Sequence, residues 1–91
     1  MINQNQAIQD QTTIKIKQFI NESFLYDRPE LLLTNDIPLI EQGIIDSMGI
    51  FRLITFLEEA FGFTVEPTEI VIENFESVAA IATMVSRKAG A

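Results

Sequence analysis

The stretch SMGIFRLITFLEEAFG, residues 47–62, constrains the fold more than any other part of the chain. Ile50, Leu53, Ile54, Leu57 and Phe61 recur at the three- and four-residue spacing of a single helical face. Gly62 follows, and glycine tolerates the left-handed conformation that ends many helices. Gly49 sits early in the same helix, where an interior glycine costs about 1 kcal/mol relative to alanine. Either Asp46 or Ser47 can supply the oxygen that caps the first N–H groups.

Two more segments carry the helical period. Ile16, Phe19, Ile20, Ser23 and Phe24 share a face, with Thr12 or Thr13 as the cap and an expected end near Tyr26–Asp27, before Pro29. Val78, Ile81, Ala82 and Val85 share another, capped by Ser77, with Arg87 and Lys88 suited to the dipole at its end. Between the first two helices lies DRPELLLTNDIPLIEQGIID, residues 27–46, with two prolines, a glycine and no sustained period. It reads as a long loop, but its leucines and isoleucines require it to pack along the surface of the bundle. FTVEPTEIVIENF reads as a short extended piece in which Pro67 opens a brief helix. The expected fold is therefore all-α: a small four-helix bundle, three helices longer and one short, with a long first loop. The expected division is a flexible N-terminus over 1–11, one folded domain over 12–88 and a tail over 89–91.

A hydrophobic content of 47% over 91 residues suits one compact domain. The chain has no cysteine and no histidine. That removes disulfides, thiolate metal sites and the Ser-His and Cys-His nucleophile pairs. Net charge is -7, and nine acids but one base, Arg52, lie between Asp36 and Glu76. Phosphate backbones need a basic patch, so nucleic acid is not an expected partner. A basic protein surface complements the acidic block, which also serves solubility. No apolar run is long enough for a membrane span, and the expected location is cytoplasmic, as a monomer.

Ser47 stands at the end of the long loop, inside the acidic block, between Asp46 and the apolar Met48. A serine before an amphipathic helix is commonly a cap. Here Asp46 is an equally good cap, so one of the two is redundant. A nucleophile elbow needs G-x-S-x-G, and Ile45 stands where the first glycine belongs. No histidine is present to take the proton, so the chain is not expected to be an enzyme. Glu66, Glu69, Glu73 and Glu76 lack calcium-loop spacing. Ser47 is then either a substrate for another enzyme or, in the alternative reading, merely the cap of a small helical adaptor protein.

GIIDSMGIFRLITFLEEAFGFTVEPTEI, with LIEQGIIDS upstream, resembles the central segment of the acyl carrier proteins and related peptidyl (aminoacyl) carriers. The resemblance extends over roughly residues 12–88 by helix order. It implies that 12–88 is a phosphopantetheine-binding carrier domain. It further implies that a separate phosphopantetheinyl transferase, using magnesium and coenzyme A, attaches 4'-phosphopantetheine covalently to the Ser47 hydroxyl. Asp46 matches the acid that supports the transferase's metal. The arm would bring the thiol this chain lacks, and cargo would ride on it as a thioester. Loading and tailoring enzymes for acyl or aminoacyl groups are the implied partners, in fatty-acid, polyketide or nonribosomal-peptide-type biosynthesis. Met48, Phe51, Thr55, Glu58 and Glu59 are the expected partner-binding residues. Gly49 and Arg52 stand where fatty-acid carriers are typically acidic. This departure favours aminoacyl or peptidyl carriers and stand-alone carriers of specialised metabolism.

Overall fold

A computed structural model describes residues 4–89. It contains α1 (Gln4–Phe24), α2 (Ser47–Phe61), a 3-10 turn (Pro67–Glu69), the four-residue α3 (Ile72–Phe75) and α4 (Val78–Lys88). No strand occurs among the described residues. The fold is the expected all-α bundle of three longer helices and one short one.

The start of α1 differs from expectation. The helix begins at Gln4, well ahead of Thr12 or Thr13, so the segment expected to be flexible over 1–11 contributes helix from Gln4 onward. The reason is local: QNQAIQDQTT contains no proline or glycine, and glutamine and alanine are good helix formers. Thr12 is therefore no cap. It is buried, one turn before Ile16 and two before Ile20 on the inward stripe. Residues 1–3 and 90–91, which belong to the expected N-terminal and C-terminal tails, lie outside the described residues.

Each longer helix packs by the stripe its sequence carries. Leu53, Ile54 and Leu57 of α2 are buried, as are Val78, Ile81, Ala82, Met84 and Val85 of α4. Helix α1 packs mainly along α4, with a lighter contact to α2, and α3 also rests on α4. Gly62 closes α2 at φ 72°, its N–H donating to the Glu58 carbonyl at 3.0 Å. Ser77 caps α4 by accepting from the Ala80 N–H at 3.1 Å.

The loop between α1 and α2 is part of the core. Leu25, Leu33, Leu39, Ile44 and Ile45 are buried, and Leu39 is fully so. Burying their backbone requires partners for its polar groups. Leu39 N–H donates to the Glu76 carbonyl at 2.8 Å, and Ala79 N–H donates to the Asn35 carbonyl at 3.0 Å. The Leu39 carbonyl in turn accepts from the N–H groups of Ile44 and Ile45, at 2.9 and 3.2 Å. Gly43, at φ 69°, makes the turn between them. The chain thus reaches Asp46 from a fixed point, which sets where α2 begins.

Candidate functional site

The start of α2 decides between the two capping residues. Asp46 has extended backbone, and its Oδ1 accepts from the Gly49 N–H at 2.8 Å. Its carbonyl accepts from the Ile50 N–H at 3.0 Å. Asp46 is the N-cap, and Ser47 is the first helical residue. The Ser47 side chain is exposed and makes no hydrogen bond among the described residues. The N–H groups of Ser47 and Met48 likewise find no acceptor among those residues. Unpaired N–H groups at the positive end of a helix dipole favour a phosphate close by. A free hydroxyl in that field fits the attachment of a phosphate-linked group. Ser47 is therefore not the cap that the adaptor reading made of it; Asp46 is.

Gly49 explains the shape of this corner. A Cβ built there would lie 2.9 Å from Cε1 of Phe24, 3.1 Å from Cγ2 of Ile45 and 3.3 Å from Oδ1 of Asp46. The end of α1 approaches α2 at the one helical residue without a side chain, so Gly49 is buried and any side chain there would have to displace the Phe24 ring. The Phe24 ring then carries the Arg52 guanidinium, 5.0 Å from its centroid. Phe24 also meets Phe19 edge-on at 6.0 Å, and Phe19 stacks on Phe56 at 4.3 Å.

The partner residues expected from the sequence do not all fall together. Met48, Thr55 and Glu59 lie along one stripe of α2 at helical spacing, all exposed, and Met48 is 73% exposed. Phe51 adjoins them at 58% exposure, its carbonyl accepting from the Thr55 hydroxyl at 3.1 Å. Glu58 stands apart. It is half-buried, and its Oε2 accepts from the Val65 N–H at 2.9 Å, which holds the segment after Gly62 against α2. Sequence reasoning missed this bond, whose signal would have been an acid one turn before a glycine C-cap. It also missed the pairing of Phe24 with Gly49 and Arg52, which belong to different helices and share no local pattern.

Away from this corner, an open cleft of about 470 Å³ runs between the loop and the start of α4, floored by Pro38, Ile40 and Ile72. None of the expected site residues lines it. Glu69 joins the 3-10 turn to the end of α4: one oxygen accepts from the Glu66 N–H at 2.8 Å and from Lys88 Nζ at 2.7 Å. The Lys88 hydrogen bond, then that from Glu66, holds the Glu69 carboxyl below the ordinary glutamate value. Among the described residues, no cluster of acids could hold a metal ion, and no helix is long and apolar enough to cross a membrane.

Comparisons with known proteins bear on this corner. The family described as "Phosphopantetheine attachment site" matches residues 15–85. The D-alanyl carrier protein of Abiotrophia defectiva is 32% identical over 56 residues, covering 62% of this chain and 71% of that protein. The D-alanyl carrier protein of Lactococcus lactis subsp. cremoris (strain MG1363) is 40% identical over 53 residues, covering 58% and 67%. Among solved structures, a chain from one described as "Crystal structure of FAD-dependent dehydrogenase" superposes with a TM-score of 0.68 at 31% identity, over 77% of this chain and 97% of that one.

Proposed function

Because the chain belongs to the phosphopantetheine attachment-site family of carrier proteins, we propose that Ser47 is its attachment residue and that its cargo is an aminoacyl group. The observation that carries this reading is the division of labour at the start of α2: Asp46 caps, and the Ser47 hydroxyl is left free in the field of the helix end. Phosphoryl transfer relies on positioning and charge neutralisation, so the carrier need only present the oxygen. The Ser47 and Met48 N–H groups would hold the phosphate. Asp46, with Oδ1 engaged in the cap, has its second oxygen to offer the transferase's metal. When bound, the arm supplies a terminal thiol that carries the cargo as a thioester.

The sequence alone favours specialised metabolism and names no cargo. The D-alanyl carrier relatives favour a narrower role, as carrier of an alanyl or similar small aminoacyl group. An adenylating enzyme would activate that group and load it. The superposing structure is described as an FAD-dependent dehydrogenase, which supports including an enzyme of that kind among the classes of tailoring partner. Met48, Phe51, Thr55 and Glu59 form the proposed partner face, and Glu58 shapes its end.

Intact mass after co-expression with a broad-specificity phosphopantetheinyl transferase tests the reading. One phosphopantetheine is expected on the natural chain and none on Ser47→Ala. Incubation with ATP, D-alanine and a D-alanine-adenylating enzyme should then add one alanyl group to the modified chain only. An arm mapped to Ser23, Ser77 or Ser86 overturns the attachment site. A modified chain that refuses D-alanine but accepts a fatty acyl group overturns the cargo.

A further inference from the structure

Arg52 is the one base between Asp36 and Glu76, and nine acids share that span. In such surroundings a cation would ordinarily pair with a neighbouring carboxylate. Arg52 does not: among the described residues no carboxylate lies within ion-pair distance of it. The guanidinium rests instead on the Phe24 ring, which reaches it because Gly49 leaves room for the ring. A guanidinium held on an aromatic face keeps in-plane N–H donors free, and those donors form the fork that matches a carboxylate. The ring restricts a long side chain that would otherwise lose much rotamer freedom on binding.

The surface around Arg52 has a definite chemistry. Arg52 lies on the exposed stripe of α2 with Met48 one turn before it and Thr55 and Glu59 after it. It rims a shallow cleft of about 340 Å³ between α1 and α2, floored by the stacked rings of Phe19 and Phe56. Met48 and Phe51 add exposed apolar surface on the side of Ser47. We propose that Arg52, fixed on Phe24, is a specificity residue that takes a carboxylate from the partner enzyme. The partner's matching segment carries an Asp or Glu within one helical turn of a large apolar side chain. The carboxylate sits on Arg52 while the apolar side chain covers Met48 and Phe51. A partner surface of uniformly basic character meets Glu59 favourably but is repelled at Arg52, so the same residue discriminates against it. This inference rests on the reading of α2 as the partner face, yet it stands apart from the modification of Ser47.

The full chain, immobilised after co-expression with the transferase, is used to select from a library of displayed random peptides. Enriched peptides are expected to carry Asp or Glu within four positions of Leu, Ile or Phe. They should bind Arg52→Glu about ten-fold more weakly and Arg52→Lys a few-fold more weakly, since lysine keeps the charge but loses the fork. Amide shifts on adding such a peptide should centre on Met48, Arg52 and Thr55. Arg52→Gln, which removes the charge without reversing it, guards against a misfolded Arg52→Glu. Enrichment of basic peptides, no enrichment at all, equal binding to Arg52→Gln, or shifts confined to the cleft at Ile40 and Ile72 each overturn the proposal. Ser47→Ala should bind the same peptides. A chain that binds them but never takes the arm sinks the carrier reading alone, and a modified chain that ignores them sinks this one alone.

Discussion

Asp46 and Ser47 hold neighbouring positions with separate duties, and substitution should separate them. Removing a capping carboxylate typically costs about 1 kcal/mol, so Asp46→Ala should lower stability by that order in chemical denaturation. Ser47→Ala removes an exposed hydroxyl with no protein partner and should change stability by less than about 0.5 kcal/mol. The methionines offer a second contrast. Met84 is fully buried and Met48 is 73% exposed. Met84→Ala should cost about 2–5 kcal/mol, the range for emptying a core site. Met48→Ala should leave the melting temperature nearly unchanged and weaken transfer to a loading enzyme, because an exposed apolar anchor acts at the interface. A large drop in melting for Met48→Ala would return that residue to the core.

At the scale of elements, adjacent acids on α2 should behave differently. Glu58 accepts the Val65 N–H, so Glu58→Ala should cost about 1.5–3 kcal/mol, as for a hydrogen bond to a charged group. Glu59 is exposed, and Glu59→Lys should leave stability within about 0.5 kcal/mol while slowing loading, more at low salt than at high. The tie between the 3-10 turn and α4 should appear in the pH dependence. Glu69 titrates below the ordinary glutamate value because Lys88, and then the Glu66 N–H, favour its charged form. A carboxyl whose folded value is depressed stabilises the fold above its unfolded value and loses that contribution as pH falls through the folded value. Thermal melts of Lys88→Met should therefore show a flatter acid limb than the natural chain and meet it once Glu69 is protonated in both. These elements were legible in the sequence in unequal degree. The stripes of α2 and α4, the Gly62 stop and the Ser77 cap all follow from local pattern. The start of α1 did not, because a polar segment without breakers can be helix or coil with nothing local to decide it. Asp46 and Ser47 were equally good caps on composition, and only the position of the preceding loop selects one. Glu58, Gly49 and Arg52 take their roles from residues on other elements, which no single window contains.

At the scale of the molecule, the loop between α1 and α2 behaves as core and not as a connector. Leu39 is fully buried and bonds backbone to backbone with Glu76. Leu39→Ala should cost about 2–5 kcal/mol, a large part of the stability of so small a domain. Urea denaturation should register it as an early midpoint, with Leu32→Ala, at a side chain 78% exposed, as the near-silent control. An equal effect of the two substitutions would mean that the loop does not pack as described.

The bonds that stitch this loop to the α3–α4 junction have a kinetic consequence. They join Asn35 to Ala79 and Leu39 to Glu76, which makes them long-range closures whose loop entropy slows their formation. The turn at Gly43 and the approach to Ser47 hang from those closures. A chain that has opened at α4 has lost both closures, and with them the tie that fixes where the loop delivers Asp46 to the start of α2. If Ser47 takes the arm as proposed, an enzyme that reads the folded surface around that hydroxyl should modify such an opened chain more slowly than the closed one.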